Sequence, residues 1–156
     1  MAWANLGAAS HQAQRDEEAL TNYAESLRLD PLNIAVLENY AGVFNSLGRH
    51  DEAISQYRVF LAKHSNYTPV HMSLGATLAG EGKFAEAAHE FETAIQLAPD
   101  NADAHNNLGA MYGKLAQYDK AVREFELVLK LNPHHASAAG NLAEASRLRD
   151  AALAPP

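Results

Sequence analysis

The hydrophobic and polar positions along this chain follow a helical rhythm that breaks at regular intervals. Between residues 102 and 131, Leu108, Met111 and Leu115, then Ala121, Phe125 and Val128, recur at spacings of three and four. Such spacings gather side chains on one side of a helix with 3.6 residues per turn. The rhythm is interrupted near Gln14 and Arg15, Gly48 and Arg49, Gly82 and Lys83, and Ala116 and Gln117. Acidic residues follow each break: Asp16, Glu17 and Glu18, then Asp51 and Glu52, then Glu86, then Asp119. They suit the positive end of a helix dipole, so each break predicts a short turn between two helices. Asp30 with Pro31, and Ala98 with Pro99, predict the closing of a hairpin, and Thr68 with Pro69 predicts a capped helix start.

The hairpins repeat. A displacement of 34 residues lays the chain on itself without insertion or deletion, aligning Leu6, Tyr40, Leu74, Leu108 and Leu142. The same shift aligns Ala19, Ala53, Ala87 and Ala121, then Tyr23, Tyr57, Phe91 and Phe125, then Pro31, Ser65, Pro99 and Pro133. A fixed period of this size marks a stack of units that cannot bury their apolar faces singly.

This period and residue order resemble the tetratricopeptide repeat family over essentially the whole chain. In the unit from Ala102, Leu108, Gly109, Tyr112, Tyr118, Ala121, Phe125 and Pro133 stand where the family motif expects them, with His105 replacing its tryptophan. Trp3 keeps that tryptophan in the first unit, where Ser10 replaces a tyrosine; Ser65 replaces a proline in the second. The resemblance implies an all-α fold, a right-handed superhelical α-solenoid of helix-turn-helix units. It is expected as one array over residues 1–156, with repeats at 1–33, 34–67, 68–101 and 102–135, a capping helix at about 136–150 and a short tail.

Helical directions sort each unit's first helix into three faces. With Ile34, Thr68, Ala102 and Ala136 as position one, positions 4, 7, 8 and 11 face the second helix; in the fourth unit these are His105, Leu108, Gly109 and Tyr112. Positions 3, 10 and 14 face the preceding unit: Val36, Val43 and Leu47, or Ala104, Met111 and Leu115, but only Ala2, Ala9 and Ala13 in the first. Positions 2, 6, 9 and 13 point away from the core, toward what the resemblance implies is a concave groove. They comprise Asn5, Ala8 and Gln12; Asn39, Gly42 and Ser46; Ser73 and Ala76; Asp103, Asn107, Ala110 and Lys114; and Asn141.

Small residues beside a row of amides are the candidate binding site. A carboxamide offers donors and an acceptor that match a peptide bond, so spaced amides can hold an extended backbone with little regard to its sequence. The row is similar to the asparagine ladder in the repeat region of O-linked N-acetylglucosamine transferases, interrupted here by Ser73. Family members that hold chaperone C-termini use a clamp of basic groove residues. Ala4, Asp103 and Asn107 or their neighbours fill those positions here, so binding of heat-shock chaperone tails is not expected.

Composition narrows the alternatives. The 156 residues carry 12 basic and 19 acidic side chains, a formal charge of −7, which disfavours nucleic acid and anionic membrane surfaces as partners. With no cysteine there is no disulfide, thiolate nucleophile or cysteine zinc site, and no apolar run approaches a membrane span. His89 and Glu90 begin a zinc-protease motif, but Thr93 stands where its second histidine belongs. The segment from Gly80 to Lys83 resembles a phosphate loop, yet Phe84 follows the lysine and the repeat makes it an interhelical turn. His71 and His105 share the fourth repeat position, a packing site.

The expectation is therefore a non-catalytic protein-interaction scaffold, without cofactor or metal and cytoplasmic by default, which binds an extended or short helical peptide in the groove. The alternatives are an assembly module forming homo-oligomers through its stack ends, where Trp3, Leu148 and Leu153 are the apolar residues, or the targeting arm of a larger enzyme.

Overall fold

A computed structural model describes residues 2–153, and among them the regular secondary structure is entirely helical. The helices are α1 (Ala2–Gln12), α2 (Asp16–Leu29), α3 (Ile34–Ser46), α4 (His50–Leu61), α5 (Thr68–Gly80), α6 (Phe84–Leu97), α7 (Ala102–Lys114), α8 (Tyr118–Leu131) and α9 (Ala138–Leu153). They form two compact units, Met1–Asn66 with α1 to α4 and Tyr67–Pro156 with α5 to α9. Within each unit every helix packs on its neighbours in sequence, and alternate helices also touch: α1 with α3, and α5 with α7 and α7 with α9. Among the described residues no helix is long and apolar enough to cross a membrane.

The four interhelical turns share one geometry. Gln14, Gly48, Gly82 and Ala116, spaced by the repeat, have φ of 58°, 70°, 71° and 56°. After each, a backbone N–H reaches back to the preceding helix: Arg15 to Ser10 at 2.9 Å, Arg49 to Phe44 at 2.8 Å, Lys83 to Leu78 at 2.9 Å and Gln117 to Tyr112 at 2.8 Å. These bonds satisfy carbonyls that a helix end leaves open. Glycine takes the left-handed conformation freely, whereas an L side chain pays about 1–2 kcal/mol for it. Ala116→Gly is expected to stabilise the Tyr67–Pro156 unit by about 0.5–1 kcal/mol once glycine's entropy cost is subtracted. Urea unfolding followed by circular dichroism measures it.

The helix starts differ in their caps. Asn33 Oδ1 accepts from the Val36 N–H at 3.3 Å, and Asn101 Oδ1 from the Ala104 N–H at 3.0 Å. At the equivalent place α5 has Tyr67, with no side-chain cap, and Thr68 lies inside the helix with Pro69 in its first turn. Thr68 thus begins α5 without capping it, because it occupies the register of Ile34 and Ala102, one residue past the capping slot. The last helix starts at Ala138 and ends at Leu153, later at both ends than the sequence pattern predicted.

Burial follows the repeat. Phe91, Leu74, Leu78, Val70 and Val128 are the largest fully buried apolar groups of the second unit, and Val43 is that of the first. Val36, Val43, Ala104 and Met111 are buried on the face directed at the preceding hairpin, while Leu47 remains 38% exposed. Trp3 and Leu6 depart from their register. They are 41% and 44% exposed, although Leu37, His71 and His105 at the tryptophan position are buried. The later residues are covered from two sides, as His105 is by α8 and by the α6–α7 connection. Trp3 instead borders an open cleft, with Leu20, Tyr40 and Phe44 among its other walls.

Candidate functional site

In the first unit, α1 and α3 lie side by side and present Asn5, Gln12, Asn39, Gly42 and Ser46 as exposed residues, with Ala8 half-buried. Buried Val36, Leu37, Ala41, Val43 and Phe44 occupy the other sides of α3, which directs Asn39 and Gly42 outward. The Ser46 hydroxyl donates to the Val43 carbonyl at 2.8 Å and is spent locally. In the second unit Ala76, Asp103 and Lys114 are exposed, and Ser73, Asn107, Ala110 and Asn141 half-buried. No candidate residue is buried. Among the described residues the carboxamides of Asn5, Asn39 and Asn107 make no hydrogen bond.

Other groups on this face are already engaged. Asn141 Nδ2 donates to Asn106 Oδ1 at 3.1 Å, and the Ser137 hydroxyl donates to the same oxygen at 3.3 Å. Asp103 meets His135 Nε2 at 3.1 Å. Glu144 accepts two bonds from Arg147 at 2.7 and 2.8 Å, and that hydrogen bonding holds its carboxyl below the usual range. Asn141 is therefore the end of a small network linking α7 to α9. Asn106, Gly113 and Leu148 were not among the residues marked by the repeat pattern. Gly113 and Leu148 join Gly109, Ala110, Lys114, Phe125, Asn141, Glu144 and Ala145 around a cleft of about 340 Å³. Its floor is small and apolar, and its charges are Lys114 and Glu144.

The histidines at the fourth repeat position are packed and bonded. His71 Nδ1 contacts Glu90 Oε2 at 2.7 Å; His105 Nδ1 contacts Glu124 Oε2 at 2.7 Å and its Nε2 lies 2.9 Å from the Pro99 carbonyl. Tyr112 ties three helices together. Its hydroxyl donates to Glu92 on α6 at 2.7 Å, and Lys120 of α8 sits 4.9 Å above its ring. Burial, then the bond to Glu92 and that carboxylate's charge, push its hydroxyl up to about 12 from 10.0. A raised pKa means the folded state holds the proton more tightly. The associated stability is fully present below pH 10 and is lost as pH rises through about 12. Tyr112→Phe is expected to flatten this alkaline loss, read from denaturant midpoints across that window.

Three family models match the chain: the TPR repeat over residues 75–116, and the tetratricopeptide repeat over residues 102–135 and 12–68. The chain belongs to the tetratricopeptide repeat family. Among solved structures it is similar to MamA, at 23% identity and a TM-score of 0.76, covering 97% of this chain and 84% of that one. YrrB, described as a TPR protein with an unusual peptide-binding site, gives 23% identity and a TM-score of 0.71, covering 89% and 72%. The first TPR of Spaghetti (RPAP3), bound to the HSP90 peptide SRMEEVD, gives 24% and 0.67, covering 72% and 90%. These likenesses concern the fold. No curated protein matches the chain.

Proposed function

We propose that this protein is a non-catalytic interaction scaffold that binds extended peptide segments along the outward faces of its first helices. The observation that carries this reading is the carboxamides of Asn5 and Asn39 in one unit, and of Asn107 in the other, which have no partner among the described residues and stand beside Ala8, Gly42 and Ala110. Small neighbours let a peptide backbone come close, and each amide offers it both a donor and an acceptor. Packed helices hold these groups in place before binding, so the ordering cost falls mainly on the peptide. Peptide binding by YrrB and by the RPAP3 repeat, both similar in fold, supports the same class of function. The cleft around Ala110 and Lys114 supports a contribution from α7 and α9.

The test is a peptide array probed with wild type and with the Asn39→Ala, Asn107→Ala double variant. Each lost backbone-directed hydrogen bond is expected to weaken binding by about 0.5–1.5 kcal/mol, with helix content unchanged by circular dichroism. Equal binding by both proteins overturns the role of the amides.

A further inference from the structure

The two units treat one repeat position differently. On α7, His105 fills the space between Glu124 of α8 and the Pro99 carbonyl of the preceding connection. On α3 the same register holds Leu37, and Gln56 of α4 stands where Glu124 stands on α8. Leucine is shorter than histidine along that direction and cannot hydrogen-bond. Beside it a cleft of about 390 Å³ opens between the ends of α2 and α4, walled by Leu37, Val59 and Phe60.

Its lining has a distinct chemistry. Val59 is 56% exposed at its edge, an accessible apolar wall. Gln56 is half-buried, and its carboxamide makes no hydrogen bond among the described residues, leaving a donor and an acceptor directed at no protein group. Arg28, Lys63 and His64 form the rim, and among the described residues no carboxylate lines the cleft, in a chain of net charge −7. Arg28 is held by Glu25 at 2.7 and 2.8 Å. Lys63 has no ion pair among the described residues, so its charge faces the opening uncompensated.

We propose that this cleft receives one large apolar side chain, tryptophan in the best case, from an acidic partner peptide. The indole lies against Leu37, Val59 and Phe60, its N–H donates to the Gln56 carbonyl oxygen, and neighbouring carboxylates of the peptide meet Lys63. Burying one such side chain in an apolar pocket with a satisfied N–H is the usual form of an interface anchor. The site is independent of the amide face. Asn39 and Leu37 lie two positions apart on α3, about 200° around the helix.

The experiment measures fluorescence anisotropy of a fluorescein-labelled octapeptide with one tryptophan among aspartates, against the full chain, with a lysine-for-aspartate peptide as control. The acidic peptide is expected to bind and to weaken with salt, and the basic one not to bind. Gln56→Glu places in this wall the carboxylate that α6 and α8 carry at the same register, and is expected to reduce affinity about tenfold. Leu37→Trp, which fills the cleft from within, and Lys63→Glu are expected to do the same, with helix content retained. The Asn39→Ala, Asn107→Ala variant is expected to bind this peptide as wild type does. No binding by wild type, equal binding of the basic peptide, wild-type affinity in Gln56→Glu, or loss of binding in the asparagine variant each overturns the proposal; the last assigns the peptide to the amide face.

Discussion

Phe91→Ala is expected to destabilise the Tyr67–Pro156 unit by about 3–5 kcal/mol, the largest effect of any single truncation in it. Phe91 is 1% exposed, and its ring lies against Gly75 of the facing helix, where an added Cβ would come within 2.8 Å of Cε1. Truncation removes the ring from a hairpin in which Leu74, Leu78 and Ala87 are also fully buried, so a cavity is left where it stood. Stacked repeats are stabilised mainly by their nearest neighbours. The loss is therefore expected to be local: hydrogen exchange should accelerate first in α5 and α6, and the α1–α4 unit should keep its protection. Uniform acceleration across both units would mean that the chain unfolds as a single cooperative block.

The second large effect comes from adding atoms. Gly109→Ala is expected to cost about 1–2 kcal/mol, although alanine favours a helix by about 1 kcal/mol over glycine. The new Cβ would stand 2.8 Å from Cε1 and 3.0 Å from Cζ of Phe125, whose ring is buried in a cluster with Ala121, Val122 and Ala145. The ring must shift to admit the methyl group, which disturbs its packing on Val122 and on Ala145 of α9. Four residues along the same helix, Gly113 has nothing within 4 Å of an added Cβ. Gly113→Ala is therefore expected to stabilise by about 0.5–1 kcal/mol. One chemical change gives opposite signs within a single helix, measured by paired urea titrations. Phe125→Leu in the Gly109→Ala background should recover part of the loss, since the two sites are in contact. In the first unit Ala41 and Tyr57, both buried, occupy this register, so the fold admits a methyl group there beside a different ring.

Much of the fold was legible because its determinants are local. The turn at Gly48 and Gly82 needs a left-handed residue, and glycine announces it; at Gln14 and Ala116 only the 34-residue register did so. The acidic first turns of α2, α4, α6 and α8 are likewise found where the dipole argument places them. The candidate site was legible as a face but not as a set of available groups. Asn5, Asn39, Asn107 and Asn141 look alike in the sequence, yet Asn141 is bonded to Asn106 and the other three carboxamides have no partner among the described residues. Trp3 matches the family motif better than His105 does, yet His105 is buried and Trp3 is 41% exposed.

By itself the sequence determined the helices, their turns and the directions of their faces, because 3.6-residue periodicity and turn conformation depend on residues within a few positions of one another. The tertiary structure decided which amides stay free, which histidines are clasped, and where a cleft opens beside Leu37. Those outcomes depend on contacts between side chains 19 to 35 residues apart, as in His105 with Glu124 and Asn141 with Asn106. Whether such groups meet is set by the spacing of packed helices, which no single helix encodes.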